Sequence, residues 1–423
     1  MLRSQIFESF LRSTGVCTDS RHIKSGQIFF ALKGVNFNGN DFALSVIDQG
    51  AVLAIVEESL SEHPQIIKVE NVLSALHDLV ADYRDSILKC PVLAITGSNG
   101  KTTSKELLRD VLGRKYKVAA TKGNLNNHIG IPLTILSIPA ECELAVIEMG
   151  ANHCNEIADY CNYVRPTHGY ITNIGLAHLE GFGGEAGVLK GKAELFDFIS
   201  INHGVIFGDI HQPKMSLALK GREFVSTATE DVGIEICAED PFISYKVLKS
   251  QTKVITKFAG NYNIMNIAAA VSIGRYFDVP EDQIHDAIAA YVPDSNRSQI
   301  IETKTNRVIM DAYNANPTSM EHALSSFALL SAHNKIVILG DMKELGDESL
   351  SYHQRIMDLT LGLNLKSIFV GEHFMSCGMS SSHRAFAKLE ELVKYLQLNP
   401  LLSATILLKG SRGMRMESIV EYL

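Results

Sequence analysis

The stretch from residue 91 to residue 112 constrains the fold of this chain more than any other. Residues 91–95 form a short apolar run rich in branched side chains, which is typical of a parallel strand buried on both faces. Gly97 and Gly100 allow the backbone to turn tightly with its N–H groups pointing inward, and apolar residues at helical spacing follow over 104–112. The pattern predicts a strand, a loop and a helix that begins near residue 102.

A loop of this kind at a helix N-terminus is a phosphate-binding site. Lys101 would neutralise terminal phosphates, and the Thr102 hydroxyl would bind Mg²⁺. The loop is not a complete Walker A motif, because Ile95 stands where that motif has its first glycine. The alternative is an ordinary strand-to-helix turn.

Length and composition limit the classes of protein to consider. A chain of 423 residues is too long for one ordinary domain, and about three are expected. The net charge of −8 argues against a sequence-independent grip on nucleic acid. The seven cysteines are scattered without a C-x-x-C pair, as in a reducing compartment. With no signal peptide after Met1 and no run of 18 apolar residues, we expect a soluble, cytoplasmic protein with no membrane insertion.

Residues 1–88 are expected to form the first unit. Strands are predicted over 27–32, 51–56 and 66–69, and a helix over 71–88. The loops at 18–21 and 33–42 carry glycines and hydrogen-bonding side chains. These loops fit either a pocket for a polar ligand or plain surface turns.

Residues 89–293 are expected to form a larger α/β unit. Further strands are predicted over 117–120, 143–148, 169–173 and 204–207, alternating with helices. This alternation indicates a mostly parallel sheet with helices on both faces, and ligands gather at the carboxyl ends of such strands. Residues 243–247 and 252–256 are predicted to form an antiparallel hairpin added to the sheet edge.

Three residues near strand ends are candidates for chemistry. Glu148 ends an apolar strand and is either a metal ligand or a cap for the next helix. His178 also follows a strand, and histidine binds metals, although Mg²⁺ prefers oxygen ligands. Lys192, in a helix expected to begin near residue 190, is either a site residue or part of a solvated basic turn.

An asparagine pair and a third unit complete the pattern. Asn263 and Asn266 are three residues apart, so we expect them to share one helix face that could bind an adenine edge, although Asn263 could instead cap the helix. From residue 294, strands are predicted over 308–310, 335–339, 367–370 and 404–408. Polar residues follow several of these strands, which indicates a second doubly wound domain facing the first across a cleft.

Across nearly its whole length the chain resembles the Mur ligases of peptidoglycan synthesis. The shared marks are the blocks 97–102 and 173–178, the Asn263/Asn266 pair, Glu148 and Arg297. The family uses a shorter phosphate loop, which accounts for Ile95. The blocks 121–132, 311–319, 340–346 and 409–414 are most similar to the member that adds D-alanyl-D-alanine to UDP-N-acetylmuramoyl-tripeptide.

The resemblance implies an α/β, three-domain Mur ligase architecture. It places a UDP-sugar-binding domain at 1–88 and a central parallel-sheet P-loop ATPase domain at 89–293. A Rossmann-like domain at 294–423 would take the incoming dipeptide and close over the nucleotide.

The resemblance also implies three sets of binding residues. ATP is expected to contact Gly97, Ser98, Asn99, Gly100, Lys101, Thr102, Thr103, Asn263, Asn266, Arg297 and Asp311. The UDP-sugar substrate is expected at Ser20, Arg21, Lys33, Gly34, Asn38, Asn126 and Asn127. The dipeptide side is expected at Tyr313, Asn314, Lys343, Lys409 and Arg412.

Two Mg²⁺ ions are implied in the same way. Thr102 and Glu148 would hold the first, and His178 and a carbamylated Lys192 the second. The family carries a carbamylated lysine four residues before an aromatic residue, and Phe196 lies four after Lys192, with Lys190 as the runner-up. The expected catalytic residues are Lys101, His178 and Lys192.

The implied activity is an ATP-dependent amide ligation through an acyl phosphate, carried out by a monomer. One alternative is a MurE-type or folylpolyglutamate-synthase-type amino acid ligase, against which the blocks at 311 and 409 argue. Another is a nucleotide-dependent binding protein that does not ligate. The third residue of the tripeptide, diaminopimelate or lysine, is left open.

Overall fold

The computed structural model describes residues 2–58, 62–238, 242–293, 296–378 and 383–423. Three successive α/β units each contain a sheet of mainly parallel strands with helices packed on it. Residues 294–295, where we expect the third unit to begin, lie outside the described residues.

The first unit is built on a four-stranded parallel sheet. Its strands lie in the spatial order Val16–Cys17, Ile28–Phe30, Leu53–Val56 and Ile66–Lys68. Its helices are Leu2–Arg12, Ala43–Asp48 and Val72–Ser86, with a 3₁₀ turn at Gly39–Phe42. The hairpin Lys33–Gly34/Phe37–Asn38 stands apart from the sheet. The predicted strands and helix are present with shorter bounds, whereas the first helix and the first strand were not predicted.

The central unit contains a six-stranded sheet whose paired strands are all parallel. The spatial order is Val225–Ser226, Val205–Gly208, His168–Ile171, Val92–Thr96, Leu144–Glu148 and Val118–Ala120. Its helices are Lys101–Leu112, Gly130–Leu136, Glu156–Val164, Leu179–Phe182, Glu185–Ile201, Pro213–Leu219, Thr229–Val232, Ile264–Tyr276 and Glu281–Ala290. The strand Val92–Thr96 is fully buried, as its apolar run predicts.

The predicted antiparallel hairpin is present, but the prediction that it is added to the edge of this sheet is wrong. Strands Ile234–Ala238, Ser244–Val247 and Lys253–Ile255 form a separate three-stranded antiparallel sheet. Its inward side chains, Tyr245 among them, are buried in the same apolar core as helices Ile264–Tyr276 and Glu281–Ala290. Burial of this apolar face against the two helices, rather than backbone pairing with an edge strand, positions the sheet.

The third unit contains a six-stranded mixed sheet. The spatial order is Gln299–Glu302, Arg307–Asp311, Thr405–Lys409, Lys335–Gly340, Lys366–Val370 and His383–Phe386, of which the first pair is antiparallel and the others parallel. Its helices are Pro317–Leu329, Ser349–Gly362, Glu372–Met375 and Leu389–Leu398. Short 3₁₀ segments occur at Gly346–Glu348, Arg412–Met414 and Met416–Tyr422. The four predicted strands are present, and the two edge strands were not predicted.

In the parts of the chain that the structure describes, no helix is both long enough and apolar enough to cross a membrane. The carboxyl ends of central strands Val92–Thr96 and Leu144–Glu148 face the carboxyl ends of Arg307–Asp311 and Thr405–Lys409 across one cavity. The cleft predicted between the two units is therefore where the candidate site lies.

Candidate active site

A cavity of about 800 Å³ separates the central and third units. Its walls carry most of the predicted site residues. They include Ser98, Asn99, Gly100, Lys101, Thr102, Thr103, Asn126, Asn127, Glu148, His178, Asn263, Asn266, Arg297, Asp311, Tyr313, Asn314 and Lys409. The cavity thus brings together several stretches of the central unit and, from the third, Arg297 and the ends of two strands.

The phosphate loop turns at two glycines with left-handed backbone angles. Gly97 has φ +141°, and a Cβ placed there would collide with Thr172 Oγ1. Gly100 has φ +80°, and a Cβ there would lie 2.7 Å from Asn266 Oδ1. Only glycine fits both the angle and the space at these positions, so the loop reaches the start of helix Lys101–Leu112 in one defined shape.

Lys101 lies folded over this loop. Its Nζ donates to the Gly97 carbonyl at 2.7 Å and to the Ser98 carbonyl at 3.3 Å. Burial lowers the pKa of Lys101, the nearby Glu148 carboxylate opposes that shift, and Arg297 adds to it. The side chain holds a cationic donor against the loop backbone, where a phosphate group would bind.

Glu148 presents a buried carboxylate to the loop. The residue is 1% exposed, and its Oε1 accepts hydrogen bonds from Asn126 Nδ2 at 2.7 Å and Thr102 Oγ1 at 3.1 Å. Its Oε2 is buried and has no hydrogen-bond partner. The carboxylate faces Thr102 and Asn126 rather than the next helix of the central unit, Glu156–Val164, so the metal-ligand alternative fits the geometry better than the helix cap.

Lys105 is a charged residue of this region that sequence reasoning missed. Its side chain is fully buried, with Nζ 2.8 Å from Glu106 Oε1 and 3.8 Å from Glu148 Oε2. It also donates to the Gly123 carbonyl at 3.2 Å. Its position one helical turn after Lys101 was a usable signal, because residues four apart share one helix face.

His178 lines the cavity but has a second neighbour from the third unit. The residue has a left-handed backbone, φ +54°, at the start of the short helix Leu179–Phe182. Its Nδ1 lies against the Glu344 carboxylate, and this contact lowers the pKa of Glu344. Contact through Nδ1 leaves Nε2 as the ring nitrogen available to a ligand. Glu344, which lies in a block noted in the sequence, was not predicted to take part.

Lys192 is 1% exposed and lies in the middle of helix Glu185–Ile201. The expectation that this helix begins near residue 190 is wrong, because the helix starts as soon as the chain leaves Gly183 and Gly184, both with φ above zero. Lys192 Nζ donates to the Ala151 carbonyl at 3.0 Å and lies 4.9 Å from the centroid of the Phe182 ring. This burial rules out the solvated basic turn.

Burial holds the pKa of Lys192 well below its ordinary value, and the positive charge of Lys101 lowers it further. Lys192 itself lies behind the cavity wall, since Ala151, its hydrogen-bond partner, lines the cavity. Lys190, the runner-up, is exposed.

The asparagine pair is placed differently from the prediction. Asn263 ends a 3₁₀ turn, Asn261–Asn263, that follows Gly260. The helix Ile264–Tyr276 begins one residue after Asn263, so only Asn266 lies within it. The two side chains are nevertheless joined, with Asn266 Nδ2 donating to Asn263 Oδ1 at 2.9 Å. Asn263 occupies the N-cap position of this helix, but its side chain makes no capping hydrogen bond; its Nδ2 donates to the Ala259 carbonyl at 2.8 Å. Both asparagines are buried and line the cavity, and Asn266 lies beside Gly100.

The third unit supplies an ion pair and a stacked arginine. Lys409 Nζ is 2.6 Å from Asp311 Oδ2, and Lys409 is 2% exposed. The Arg297 guanidinium lies 3.6 Å from the centroid of the Tyr313 ring, and its buried Nε has no hydrogen-bond partner. Arg412 lies 5.8 Å from the same ring, beside a second cavity of about 510 Å³. Lys343 does not line the large cavity, although its backbone N–H bonds Ser411 Oγ at 3.0 Å.

The residues predicted for the UDP-sugar divide into two groups. Asn126 and Asn127 line the large cavity, and Asn127 Oδ1 also accepts from the Gly130 N–H at 2.8 Å. The other five lie in the first unit and do not line that cavity; they are Ser20, Arg21, Lys33, Gly34 and Asn38. Ser20 is buried, whereas Arg21 pairs with Asp19 and Lys33 with Glu58 on the surface.

Among the described residues, no group of three or more His, Cys, Asp and Glu side chains is arranged to hold a metal ion. Any metal at this site would need hydroxyl, phosphate or modified lysine oxygens beside Glu148. The oxygen ligands present are the Thr102 hydroxyl and Glu148 Oε2, which has no hydrogen-bond partner.

Three family models match successive parts of the chain. They are the Mur ligase family, catalytic domain, over residues 12–84, the Mur ligase middle domain over 95–274, and the Mur ligase, glutamate ligase domain, over 296–412.

Individual proteins match over nearly the whole chain. The UDP-N-acetylmuramoyl-tripeptide–D-alanyl-D-alanine ligase of Bacillus subtilis is 30% identical, covering 97% of this chain and 93% of its own length. A crystal structure of MurF from Acinetobacter baumannii is 31% identical with a TM-score of 0.87, covering 99% and 97% of the two chains. MurF from Thermotoga maritima in complex with ADP shares the fold at a TM-score of 0.88, with 24% identity and coverage of 98% and 97%.

Proposed function

The chain belongs to the Mur ligase family, and from that premise we propose that it joins D-alanyl-D-alanine to UDP-N-acetylmuramoyl-tripeptide at the expense of ATP. The product bond is an amide between the tripeptide carboxylate and the dipeptide amine. The similarity to the Bacillus subtilis ligase over 97% of the chain supports this choice of substrates.

The observation that carries the proposal is the buried carboxylate of Glu148 at the phosphate loop. One of its oxygens bonds Thr102 and the other has no hydrogen-bond partner, in a cavity that also holds Lys101. Lys105 Nζ lies 3.8 Å from that second oxygen, beyond hydrogen-bond distance, so a directly bound cation would still stabilise the buried carboxylate. The arrangement therefore fits a nucleotide bound with a cation.

Mg²⁺ fits the oxygen donors at the first predicted site. Glu148 Oε2 and the Thr102 hydroxyl would hold it, together with phosphate oxygens of the nucleotide. When bound, Mg²⁺ would neutralise charge on the transferring phosphoryl group.

The second predicted site fits only if Lys192 is modified. An amine is a poor Mg²⁺ ligand, whereas a carbamate offers carboxylate-like oxygens. Burial favours the neutral amine of Lys192, whose lone pair can attack CO₂ with loss of one N–H proton. A second ion held by a carbamylated Lys192 and His178 is therefore part of the proposal.

The reaction proceeds in two displacements. An oxygen of the substrate carboxylate attacks the γ-phosphorus of ATP, the bond to ADP breaks, and an acyl phosphate forms. The dipeptide amine then attacks the acyl carbon, and inorganic phosphate leaves through a tetrahedral intermediate. Lys101 holds the phosphates, and Asn126 positions Glu148 through its 2.7 Å hydrogen bond and lies where the acyl end would enter.

The third unit completes the nucleotide site and excludes water. Asn263 and Asn266 on one side and Arg297 and Asp311 on the other line the same cavity, as adenine, phosphate and ribose partners would. Tyr313 and Asn314 lie at that wall on the proposed dipeptide side. Water exclusion matters because an acyl phosphate hydrolyses readily.

The proposed domain boundaries are 1–88, 89–293 and 294–423, and each family-model match lies inside one of them. The UDP-sugar would span from the first unit to Asn126 and Asn127. We also propose a monomer as the active form.

The alternatives raised by the sequence are less well supported. A MurE-type or folylpolyglutamate-synthase-type ligase would be expected to match its own family members at 30% identity over the full chain, whereas the relatives described above carry the dipeptide-ligase name. A binding protein that never ligates would not require a buried lysine of low pKa beside the phosphate loop.

The test is phosphate release from Mg·ATP in the presence of UDP-N-acetylmuramoyl-tripeptide, with and without D-alanyl-D-alanine. Release that requires both substrates, with a mass-detected amide product, is expected. Replacing the dipeptide by single amino acids, including diaminopimelate and glutamate, serves as the control for the alternative ligases. Phosphate release that ignores both substrates would contradict the ligase proposal.

A further inference from the structure

Asn316 holds two parts of the molecule with one side chain. It is the N-cap of helix Pro317–Leu329, where its Oδ1 accepts from the Ser319 N–H at 2.9 Å. Its Nδ2 donates to Asn99 Oδ1, in the phosphate loop of the central unit, at 2.7 Å. Asn316 is 6% exposed, so this amide group is largely shielded from water.

Asn99 also donates a hydrogen bond to Asn316, and its backbone is hydrogen-bonded within the central unit. Its Nδ2 donates back to Asn316 Oδ1 at 3.4 Å. Its backbone N–H bonds Asn173 Oδ1 at 3.1 Å, and its carbonyl accepts from Thr172 Oγ1 at 2.6 Å. The Asn99 side chain therefore bonds the third unit, while its backbone is held within the central one.

Two further hydrogen bonds join the same units. The Leu176 N–H donates to Thr318 Oγ1 at 2.9 Å, in the first turn of the helix that Asn316 caps. The Glu180 N–H bonds the Glu344 carbonyl at 3.4 Å. These two amide groups belong to the central unit and are protected by the third, so their exchange with solvent reports whether the units are docked.

We propose that the Asn99–Asn316 amide pair is a positioning contact that couples nucleotide binding in the phosphate loop to docking of the third unit. This inference rests on the proposed function only in that the loop binds a nucleotide. Neither side chain is assigned a chemical step; the pair acts by holding the loop and the capped helix in register.

The coupling follows from linkage between two equilibria. A nucleotide that favours this conformation of the phosphate loop also favours the position of the Asn99 side chain in which it bonds Asn316. Docking then becomes more favourable, and by reciprocity a docked third unit strengthens nucleotide binding by the same factor. A hydrogen bond of this kind supports a coupling of about three- to tenfold.

The substitution Asn316→Ser separates the two roles of this residue. Serine is as good an N-cap as asparagine, so the helix keeps its cap, but the donor to Asn99 is lost. The variant is expected to bind a non-hydrolysable Mg·ATP analogue about three- to tenfold more weakly in titration calorimetry. In hydrogen exchange followed by mass spectrometry, residues 174–180 should exchange several-fold faster, while the segment around Ser319 keeps its rate.

Asn71→Ser is the matched control. Asn71 caps helix Val72–Ser86 in the same way, with Oδ1 accepting from the Ser74 N–H at 2.7 Å, but it lies in the first unit. Nucleotide affinity and exchange of residues 174–180 should match those of the unmodified protein.

A double-mutant cycle with Asn99→Ala tests the pairing itself. In the Asn99→Ala background, Asn316→Ser should weaken analogue binding no further, because the contact is already lost. Additive effects would overturn the proposal, as would wild-type affinity and exchange in Asn316→Ser or equal losses in Asn71→Ser. Since binding and exchange need no ligation, failure here is distinguishable from failure of the proposed activity, which is measured by product formation.

Discussion

Lys190 and Lys192 lie two residues apart on one helix but have opposite surroundings. Lys190 is exposed, whereas Lys192 is 1% exposed and bonds the Ala151 carbonyl behind the cavity wall. Burial holds the pKa of Lys192 well below its ordinary value and so favours its neutral amine. In the sequence, only the spacing to an aromatic residue favoured Lys192 over Lys190. Burial of Lys192 gives a physical reason for the same choice.

Replacing Lys192 by alanine should abolish ligation to within detection, a loss of at least about 100-fold, because a metal ligand would be removed. Added short carboxylic acids, such as acetate, should partly restore activity by supplying the missing oxygens in the space left by the side chain. Product formation is measured with and without the acid.

Lys190→Ala is the control on the same helix and should keep normal activity and ignore the acid. Full activity in Lys192→Ala without any acid would show that Lys192 supplies no essential ligand.

At the scale of elements, the phosphate loop is the part that local sequence predicted best. A buried strand, two glycines and an amphipathic helix each depend on a few neighbouring residues, and all three are present in the predicted order. The asparagine pair was less predictable. Whether Asn263 belongs to the helix or to the turn before it is decided by the bend at Gly260, and a helix boundary moves by one residue at little energetic cost.

Gly97→Ala should impair this loop specifically. The new Cβ would collide with Thr172 Oγ1 at a φ of +141°, which L-residues rarely adopt, so the loop must move. We expect at least about tenfold weaker binding of an ATP analogue, since the backbone N–H groups would no longer converge on the phosphates. Calorimetric titration measures the loss.

Gly123→Ala is the control that separates the effect of a positive φ from the effect of a steric clash of the new Cβ. Gly123 also has a positive φ, +55°, but a Cβ there would have open space around it. This variant should lose some stability while keeping nucleotide affinity within about twofold. If both variants bound the nucleotide normally, the tight fit at Gly97 would not matter for binding.

For the whole molecule, buried histidines make stability depend on pH. Burial lowers the pKa of several histidines in different units: His77, His168, His285, His322, His353 and His383. For His168, which stacks near Phe207 and Phe277, burial lowers the pKa to about 4. The folded state therefore binds fewer protons than the unfolded state below about pH 6.5, so the free energy of unfolding falls as the pH falls through that range.

Denaturant unfolding at pH 7.5, 6.0 and 5.0 should show this decline, and His168→Phe should reduce it. A phenyl ring keeps the aromatic packing and cannot bind a proton, and the expected difference approaches about 2 kcal/mol at the lowest pH. His333→Phe, at an exposed position, should leave the slope unchanged. An equal slope in wild type and His168→Phe would show that His168 is not a source of the acid sensitivity.

The sequence by itself determined the phosphate loop, the alternation of strands and helices, and the family, because these depend on short-range spacing and on blocks of adjacent residues. It also placed Glu148 and His178 at strand ends, where parallel sheets collect ligands. Tertiary structure alone decided which groups meet across the units: Glu344 at His178, Asn316 at Asn99, and Lys105 beneath Glu148. It also decided that the antiparallel strands form a separate sheet. Such contacts join residues tens to hundreds of positions apart, and they depend on the summed packing of whole units rather than on any local pattern.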